Sequence, residues 1–172
     1  STAAKLIFRS HYRNGYKIVL IDPEGELEDM AKLFNGDFID LGKGGNYGMV
    51  NPLEVIMDAD EDEIKEGASY TILTRTFQTV KAFMKYYDPS IEEDVVNMFS
   101  EIVQETYRRF GINFDTDFTK FSSSDYPTFS DVHETVKGRL NSMPDQSKEK
   151  EILEKLELKL RPLVKELRYY FD

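Results

Sequence analysis

The segment from Lys17 to Glu26 constrains the fold of this chain more than any other stretch. It reads Lys-Ile-Val-Leu-Ile-Asp-Pro-Glu-Gly-Glu, an unbroken apolar run that stops at a cluster of acids and turn-forming residues. An apolar run without polar alternation is typical of a strand buried on both faces, as in parallel α/β sheets. Because ligands of open α/β sheets bind at the carboxyl ends of the strands, the pattern predicts a functional site at Asp22, Glu24 and Glu26.

A short helix is predicted directly before this strand. Its end is indicated by Asn14-Gly15, a typical helix stop signal. A helix that leads into a parallel strand is half of a βαβ unit, so we expect the chain to begin inside such a unit with its first strand missing. The apolar stripe of the predicted helix consists of Ala3, Ala4, Ile7, Phe8 and Tyr12.

The remainder of the chain predicts a different architecture. After about residue 53 the apolar residues recur at three- and four-residue steps, which predicts four or five amphipathic helices. Ser90 with Glu93 and a Thr128 or Ser130 cap indicate two of the helix starts. Pro162 predicts a kink or a break near Leu160, because proline removes a backbone hydrogen bond. The predicted fold class is therefore α/β, with an all-α second part.

Five short motifs carry a resemblance to a known family. Ser1 is followed by a lysine four residues later, and the next motif is Asp22-Pro23-Glu24-Gly25-Glu26. Asn35-Gly36-Asp37, Asn51-Pro52-Leu53 and Pro127-Thr128-Phe129-Ser130-Asp131 then come in order. In this order the motifs resemble those of the ATPases that power type IV secretion and conjugative DNA transfer, the VirB/TraE-like branch related to the FtsK and HerA translocases.

The resemblance implies a domain organisation and a set of site residues. It implies a partial RecA-like parallel-sheet portion over residues 1–55 and an all-α helical subdomain over residues 56–172. In the intact parent protein it implies that ATP and magnesium are bound, with Ser1 as the magnesium ligand and Ser1 and Thr2 at the nucleotide. It places Asp22, Glu24 and Glu26 near the reacting phosphate. Turn chemistry is an equal alternative, in which Asp22 or Glu26 caps a helix from Leu27 to Phe34.

Two departures from the family pattern limit what this chain is expected to do alone. A phosphate cradle requires G-x-x-x-x-G-K-[ST], and the 172-residue sequence contains no such segment. The acidic strand that holds the metal through water is also missing from the pattern. We therefore expect a fragment of a motor that neither hydrolyses ATP nor binds a cofactor tightly.

Charge and hydropathy restrict the partners. A net charge of -10 argues against a stand-alone nucleic-acid binder, so nucleic acid is expected only through the intact motor. No apolar run is long enough to span a bilayer. For the parent, the resemblance implies other secretion-channel proteins and self-association as partners. It also implies a cytoplasmic location, peripheral at the inner face of the cell membrane.

The remaining candidates have simple structural alternatives. The acid run from Asp58 to Glu63 predicts helix capping rather than a calcium loop. The glycine-rich segment from Gly42 to Gly48 predicts a connection, with Lys43 a minor candidate for touching phosphate, and His11 and His133 are expected to be exposed or packing residues. The alternative function is a non-enzymatic α/β-plus-helical interaction module. A phosphate-binding loop directly upstream of Ser1 would distinguish the ATPase from this module.

Overall fold

The computed structural model describes residues 2–40, 50–57, 68–144 and 147–171. The chain divides into two compact units, residues 1–48 and residues 49–172. We call these the N-terminal unit and the helical unit. The predicted boundary near residue 55 differs from this division by a few residues, and the prediction that the two parts are separate domains stays a prediction.

The N-terminal unit is built on one helix and its C-terminal cap. Helix α1 spans Thr2–Arg13, which confirms the predicted helix and its stop. Gly15 adopts a φ of 80°, and its backbone N–H donates to the Tyr12 carbonyl at 3.0 Å. The Tyr16 N–H donates to the His11 carbonyl at 3.2 Å. These two bonds form a Schellman motif, which requires a left-handed residue that glycine adopts without steric cost.

A second, short helix completes this unit. Helix α2 spans Glu28–Leu33, inside the predicted range, and Asn35 ends it in the left-handed region with a φ of 50°. The Tyr12 ring stacks on Phe34 with a centroid distance of 4.4 Å, and the Tyr12 hydroxyl donates to the Phe34 carbonyl at 3.0 Å. The end of α2 is therefore held against α1 by one aromatic pair.

The prediction of a RecA-like parallel-sheet portion is wrong. The described residues contain no β-strand, and residues 16–22 have no regular secondary structure. Val19 and Ile21 are 93% and 94% exposed, although their apolar pattern predicts burial on both faces. A strand exists only when a neighbouring strand accepts and donates its backbone hydrogen bonds, and no described segment of this chain does so. The described part of the molecule is all-helical.

Four long helices form the helical unit. They are α3 (Ala68–Tyr87), α4 (Glu93–Arg109), α5 (Phe129–Ser142) and α6 (Lys148–Lys165), and a short α7 (Arg168–Phe171) follows. Helix α4 lies at the centre and packs against α3, α5 and α6. Its position explains why eight of its seventeen residues are buried. The fully buried side chains of the core include Leu73, Met84, Phe99, Ile102, Tyr107, Phe129, Leu153, Leu156, Leu160 and Leu163.

Local sequence signals account for several helix ends, but two predictions of this kind are wrong. Thr128 and Asp131 form the capping box of α5, and the Ser147 hydroxyl caps α6. Ser90 does not cap α4: the helix begins after Glu92, and the Ser90 N–H and hydroxyl bind the Asp88 carboxylate instead. Helix α6 continues through Pro162 to Lys165, so the predicted break near Leu160 does not occur. Proline removes one backbone hydrogen bond from this helix, and the Glu166 N–H still donates to the Pro162 carbonyl at 2.9 Å.

The two ends of the helical unit meet. The Val50 N–H donates to the Tyr170 carbonyl at 2.9 Å. Phe171 of α7 packs edge-on against Phe83 of α3, with ring centroids 5.4 Å apart. The chain therefore begins and ends this unit at one place. Among the described residues, no helix has the length and the apolar character needed to cross a bilayer.

Candidate functional site

The acidic turn of the N-terminal unit is organised by Asp22. Residues Asp22 to Gly25 form a turn in which the Gly25 N–H approaches the Asp22 carbonyl at 3.4 Å. Gly25 has a φ of 69°, a conformation in which any side chain would be strained. The half-buried Asp22 carboxylate accepts a hydrogen bond from the Leu27 N–H through Oδ2 at 2.8 Å. This bond satisfies a free backbone donor at the start of α2.

The three predicted catalytic carboxylates are in different environments. Asp22 is engaged in the capping bond, whereas Glu24 and Glu26 are exposed. The Glu26 carbonyl accepts a hydrogen bond from Lys5 Nζ of α1 at 3.1 Å. The turn is thereby tied to α1 through its backbone. The arrangement is the turn-and-cap chemistry that is the alternative to catalysis, and a catalytic role in an intact motor stays a prediction.

The predicted nucleotide and magnesium residues stand at the start of the chain. Ser1 lies outside the described residues, and Thr2 is described only as the first residue of α1. The segments Gly42–Gly48 and Asp58–Glu63 also lie outside the described residues. Lys5, four residues after Ser1, projects toward the acidic turn rather than remaining free.

The described residues do not fit a magnesium-nucleotide site of their own. No group of three or more His, Asp or Glu side chains in this part of the chain could hold a metal ion. The most enclosed predicted carboxylate, Asp22, already accepts the Leu27 N–H. All buried side-chain nitrogen and oxygen atoms of the described residues have a hydrogen-bond partner. The prediction that this chain alone binds no nucleotide stays a prediction.

The structure joins two of the sequence motifs that carry the resemblance. Asn51 Nδ2 donates to the Pro127 carbonyl at 2.9 Å, across 76 residues of sequence. The Asn51 Oδ1 atom accepts from the Leu53 N–H at 3.0 Å, which sets the turn through Pro52. These two hydrogen bonds fix the orientation of the Asn51 amide, because the reverse orientation would place Oδ1 against the Pro127 carbonyl and Nδ2 against the Leu53 N–H. Asn-Pro-Leu and the start of Pro127–Asp131 are therefore one structural joint.

Tyr107 fixes this joint to the core, and Tyr126 lies directly before Pro127. The Tyr107 hydroxyl of α4 donates to the Leu53 carbonyl, and burial raises the pKa of Tyr107 well above its usual value. Burial, followed by the nearby Glu54 carboxylate, raises the pKa of Tyr126 to about 12. Both hydroxyls therefore remain protonated and neutral at physiological pH. Sequence reasoning missed the joint because nothing in the spacing of the two motifs indicates that they meet.

A second buried polar group lies between α5 and α6. His133 is 5% exposed, and its Nε2 atom lies 3.0 Å from Glu157 Oε1. Arg161 binds the other oxygen of the Glu157 carboxylate at 2.6 Å. Arg161 first, and then His133, lower the pKa of Glu157. The interpretation of His133 as a packing residue is confirmed by its burial, while the charged partner was not foreseen.

His11, the other histidine, is exposed. Its Nδ1 atom lies 2.9 Å from the Ile7 carbonyl, one turn earlier in α1. An ion-pair network is centred on Arg139 of α5, which approaches Glu105 of α4 at 3.0 Å and Glu149 of α6 at 3.6 Å. These contacts tie α4, α5 and α6 together. They are structural contacts and form no catalytic constellation.

Comparisons with known proteins identify the fold. No protein-family model matches the chain, and no curated protein matches it. Its structure is similar to that of VirB4 of Thermoanaerobacter pseudethanolicus, with a TM-score of 0.78 and 23% sequence identity. The similarity covers 99% of this chain and 59% of that chain. The chain thus has a VirB4-like fold over nearly its whole length and corresponds to somewhat more than half of that protein.

Proposed function

We propose that this chain is part of a VirB4-like ATPase of a type IV secretion or conjugal transfer system. The observation that carries the proposal is the structural similarity to VirB4 over 99% of the chain. The five sequence motifs support it independently, because they resemble the same family at the level of sequence alone. In its intact form such a protein would couple ATP hydrolysis to pilus assembly or to the transfer of DNA or protein.

The helical unit is proposed to be an all-α insertion within the motor. Its two ends are joined by the Val50–Tyr170 hydrogen bond. A unit that begins and ends at one place can be inserted into a larger domain without disturbing it. The joint made by Asn51 and Pro127 would then hold the first residues of the insertion to its third long helix.

The acidic turn is the proposed link to the chemistry of the intact protein. Asp22, Glu24 and Glu26 are proposed to lie near the nucleotide phosphates there, with Ser1 and Thr2 at the nucleotide and Ser1 on magnesium. The bound Mg-ATP would supply the phosphoryl group and the charge neutralisation of the reaction. This chain supplies the turn that orients the acids: Asp22 holds α2 through Leu27, and Gly25 gives the bend. Alone, we expect the chain to bind ATP no tighter than about millimolar.

The proposed partners and location follow from this assignment. Other proteins of the secretion channel and further copies of the parent are the proposed partners. The proposed location of the parent is the cytoplasm, peripheral at the inner face of the cell membrane.

The test compares conservative variants of the intact parent protein. Asp22→Asn and Glu26→Gln are made separately, with Asp29→Asn on the exposed side of α2 as the matched control. A role in the transition state lowers turnover with little change in nucleotide affinity. We therefore expect reduced ATPase rates, similar dissociation constants and similar melting temperatures for the first two variants. Variants that melt early but keep normal turnover per folded molecule would show that the acids are only structural.

A non-enzymatic interaction module is the second candidate. It is favoured by the fact that the one enclosed acid of the turn, Asp22, already serves as a cap. Calorimetric titration of this chain with Mg-ATP bears on both candidates. Saturable micromolar binding would exclude the module and would also show that this chain holds a complete nucleotide site. An intact parent without ATPase activity would leave the module as the assignment.

A further inference from the structure

Two side chains of α1 hold the segment that contains α2. Lys5 Nζ donates to the Glu26 carbonyl at 3.1 Å, and the Tyr12 hydroxyl donates to the Phe34 carbonyl at 3.0 Å. Glu26 belongs to the acidic turn before α2, and Phe34 is the C-cap of α2. Both contacts are made to backbone carbonyls, one at each end of this segment.

Helical geometry explains why these two side chains reach the two ends. Lys5 and Tyr12 are seven residues apart, which separates them by about 20° around the helix axis and about 10.5 Å along it. Helix α2 with its caps, from Leu27 to Phe34, has about the same length. The contacts follow the same order in both segments. Helix α2 therefore runs alongside α1 in the same direction, with the acidic turn beside the beginning of α1.

The two contacts differ in what they fix. At the far end, Tyr12 also stacks on Phe34 with a centroid distance of 4.4 Å, so the ring pair holds this end without the hydroxyl. At the near end, the Asp22 carboxylate shapes the turn by accepting the Leu27 N–H. Lys5 reaches this turn from α1 across 21 residues of sequence. Its bond is charge-assisted and therefore stronger than a bond between neutral groups.

We propose that Lys5 is a positioning residue for the acidic turn in the ATPase reaction, an inference that rests on the proposed function. Lys5 follows Thr2 by three residues, or about 4.5 Å along the helix axis. Its bond holds the turn beside the first turn of α1, where Ser1 and Thr2 are proposed to meet the nucleotide. Because the bond is made to the Glu26 backbone, it sets where the turn lies and leaves the chemistry to the carboxylates.

The expected consequence is on the rate of the chemical step. Catalysis of phosphoryl transfer consists almost entirely of positioning and electrostatic stabilisation. A misplacement of about 1 Å lowers such a rate by up to about 100-fold. Ground-state affinity for the nucleotide comes mainly from the phosphate cradle and magnesium, which the turn does not supply. Loss of the Lys5 ammonium group should therefore lower kcat and leave nucleotide affinity nearly unchanged.

The first measurement uses the 172-residue chain and tests the contact itself. Lys5→Met removes the ammonium group and keeps an unbranched side chain. In NMR relaxation of the backbone amides, the order parameters of Glu24–Glu26 should fall from about 0.85 to below about 0.6 in this variant. Tyr12→Phe is the matched control, because it removes one hydrogen bond at the other end of α2 and keeps the ring pair. It should leave these order parameters unchanged.

The second measurement uses the intact parent protein and tests the role in the reaction. Lys5→Met should lower kcat at least about tenfold and change the nucleotide dissociation constant by less than about twofold. Lys5→Arg keeps a charged donor and should restore most of the turnover. Tyr12→Phe should turn over at nearly the normal rate. Melting temperatures of all variants check that turnover is compared between folded molecules.

Several results would overturn the role of Lys5. They are unchanged order parameters or normal turnover in Lys5→Met, equal losses of turnover in Lys5→Met and Tyr12→Phe, and no recovery in Lys5→Arg. Equal losses in the first pair would mean that general packing of α2 matters and the position of the turn does not. An unsubstituted parent without ATPase activity would instead refute the proposed function, and this inference with it. An active parent that tolerates Lys5→Met would refute this inference alone.

Discussion

Apolar side chains are exposed in the N-terminal unit and buried in the helical unit. In the N-terminal unit none of the residues 4–40 is buried, and Val19, Ile21 and Leu33 are 93%, 94% and 70% exposed. In the helical unit Phe99, Leu156 and many others are fully excluded from solvent. Both units are rich in Val, Ile, Leu and aromatic residues. The difference therefore lies in what surrounds these residues and not in their number.

The comparison shows that helical and strand-like apolar patterns need different partners before their side chains are buried. An amphipathic helix satisfies its own backbone and only needs another helix to cover its stripe. The helical unit supplies four long helices for this purpose. An apolar strand needs both neighbouring strands and layers on its two faces, and the described residues contain neither. The same kind of signal thus leads to a core in one unit and to exposed side chains in the other.

Limited proteolysis provides the largest expected contrast between the units. Trypsin should cut the intact chain after Arg13 and Lys17 before it cuts after Lys81 or Arg139. The segment after α1 has no regular structure, whereas the sites on α3 and α5 require opening of a packed unit. An opening free energy of about 3 kcal/mol slows cleavage roughly 100-fold. Mass spectrometry of early digests identifies the sites, and early cuts inside α3 or α5 would contradict an independently folded helical unit.

A substitution in the core of the helical unit should lower the free energy of unfolding far more than one in the N-terminal unit. Phe99→Ala removes a fully buried ring from the central helix and should lower the free energy of unfolding by about 3–5 kcal/mol. Ile21→Ala removes a side chain that is 94% exposed and should change it by less than about 0.5 kcal/mol. Urea unfolding followed by circular dichroism measures both. A large effect of Ile21→Ala would mean that the apolar run is buried in solution.

Loss of the hydrogen bonds that join the two motifs should have an intermediate effect on the free energy of unfolding. Asn51→Ala removes the bond to the Pro127 carbonyl and the bond from the Leu53 N–H, and should cost about 1–3 kcal/mol because partly buried groups lose their partners. Asn97→Ala is the matched control, since its amide lies on the surface and binds only Lys81 among the contacts described for it. The same urea titration compares the two. Equal decreases in the free energy of unfolding for the two variants would show that the joint stabilises the fold no more than an ordinary surface contact does.

The smallest expected effect is a pH dependence confined to the helical unit. The ammonium group of Lys159, and then Ser90, lower the pKa of Asp88 from 3.8 to about 2. A folded-state pKa below the ordinary value means that the stabilisation is present above about pH 4 and is lost as pH falls toward 2. Asp88→Asn should reduce the acid dependence of the urea midpoint, whereas Asp115→Asn at an exposed position should not. If the urea midpoint of Asp88→Asn fell with acid as it does in the unsubstituted chain, the Asp88–Lys159 pair would not contribute to the pH dependence of stability.

Sequence reasoning succeeded where the signal and its consequence lie close together in the chain. The cap at Thr128 (one of the two predicted alternatives, with Ser130), the stop at Asn14-Gly15 and the turn at Pro-x-Gly each depend on neighbouring residues, and the structure contains all three. It failed at Lys17–Ile21, where strand formation depends on segments that the described chain does not contain. It also failed at Ser90, because Asp88 competed for the serine side chain. The roles of Asp22, Glu24 and Glu26 in chemistry stay predictions.

The sequence by itself determined the local elements of this protein: the helices, several of their caps, the acidic turn and the basic character of α1. Each depends on interactions within one or two helical turns, which are encoded by neighbouring residues. Only the tertiary structure decided which distant groups meet. It joined Asn51 to Pro127, buried His133 against Glu157 and closed the helical unit through Val50 and Tyr170. Such contacts depend on how whole helices pack, and packing is set by the combined burial of many side chains rather than by any motif.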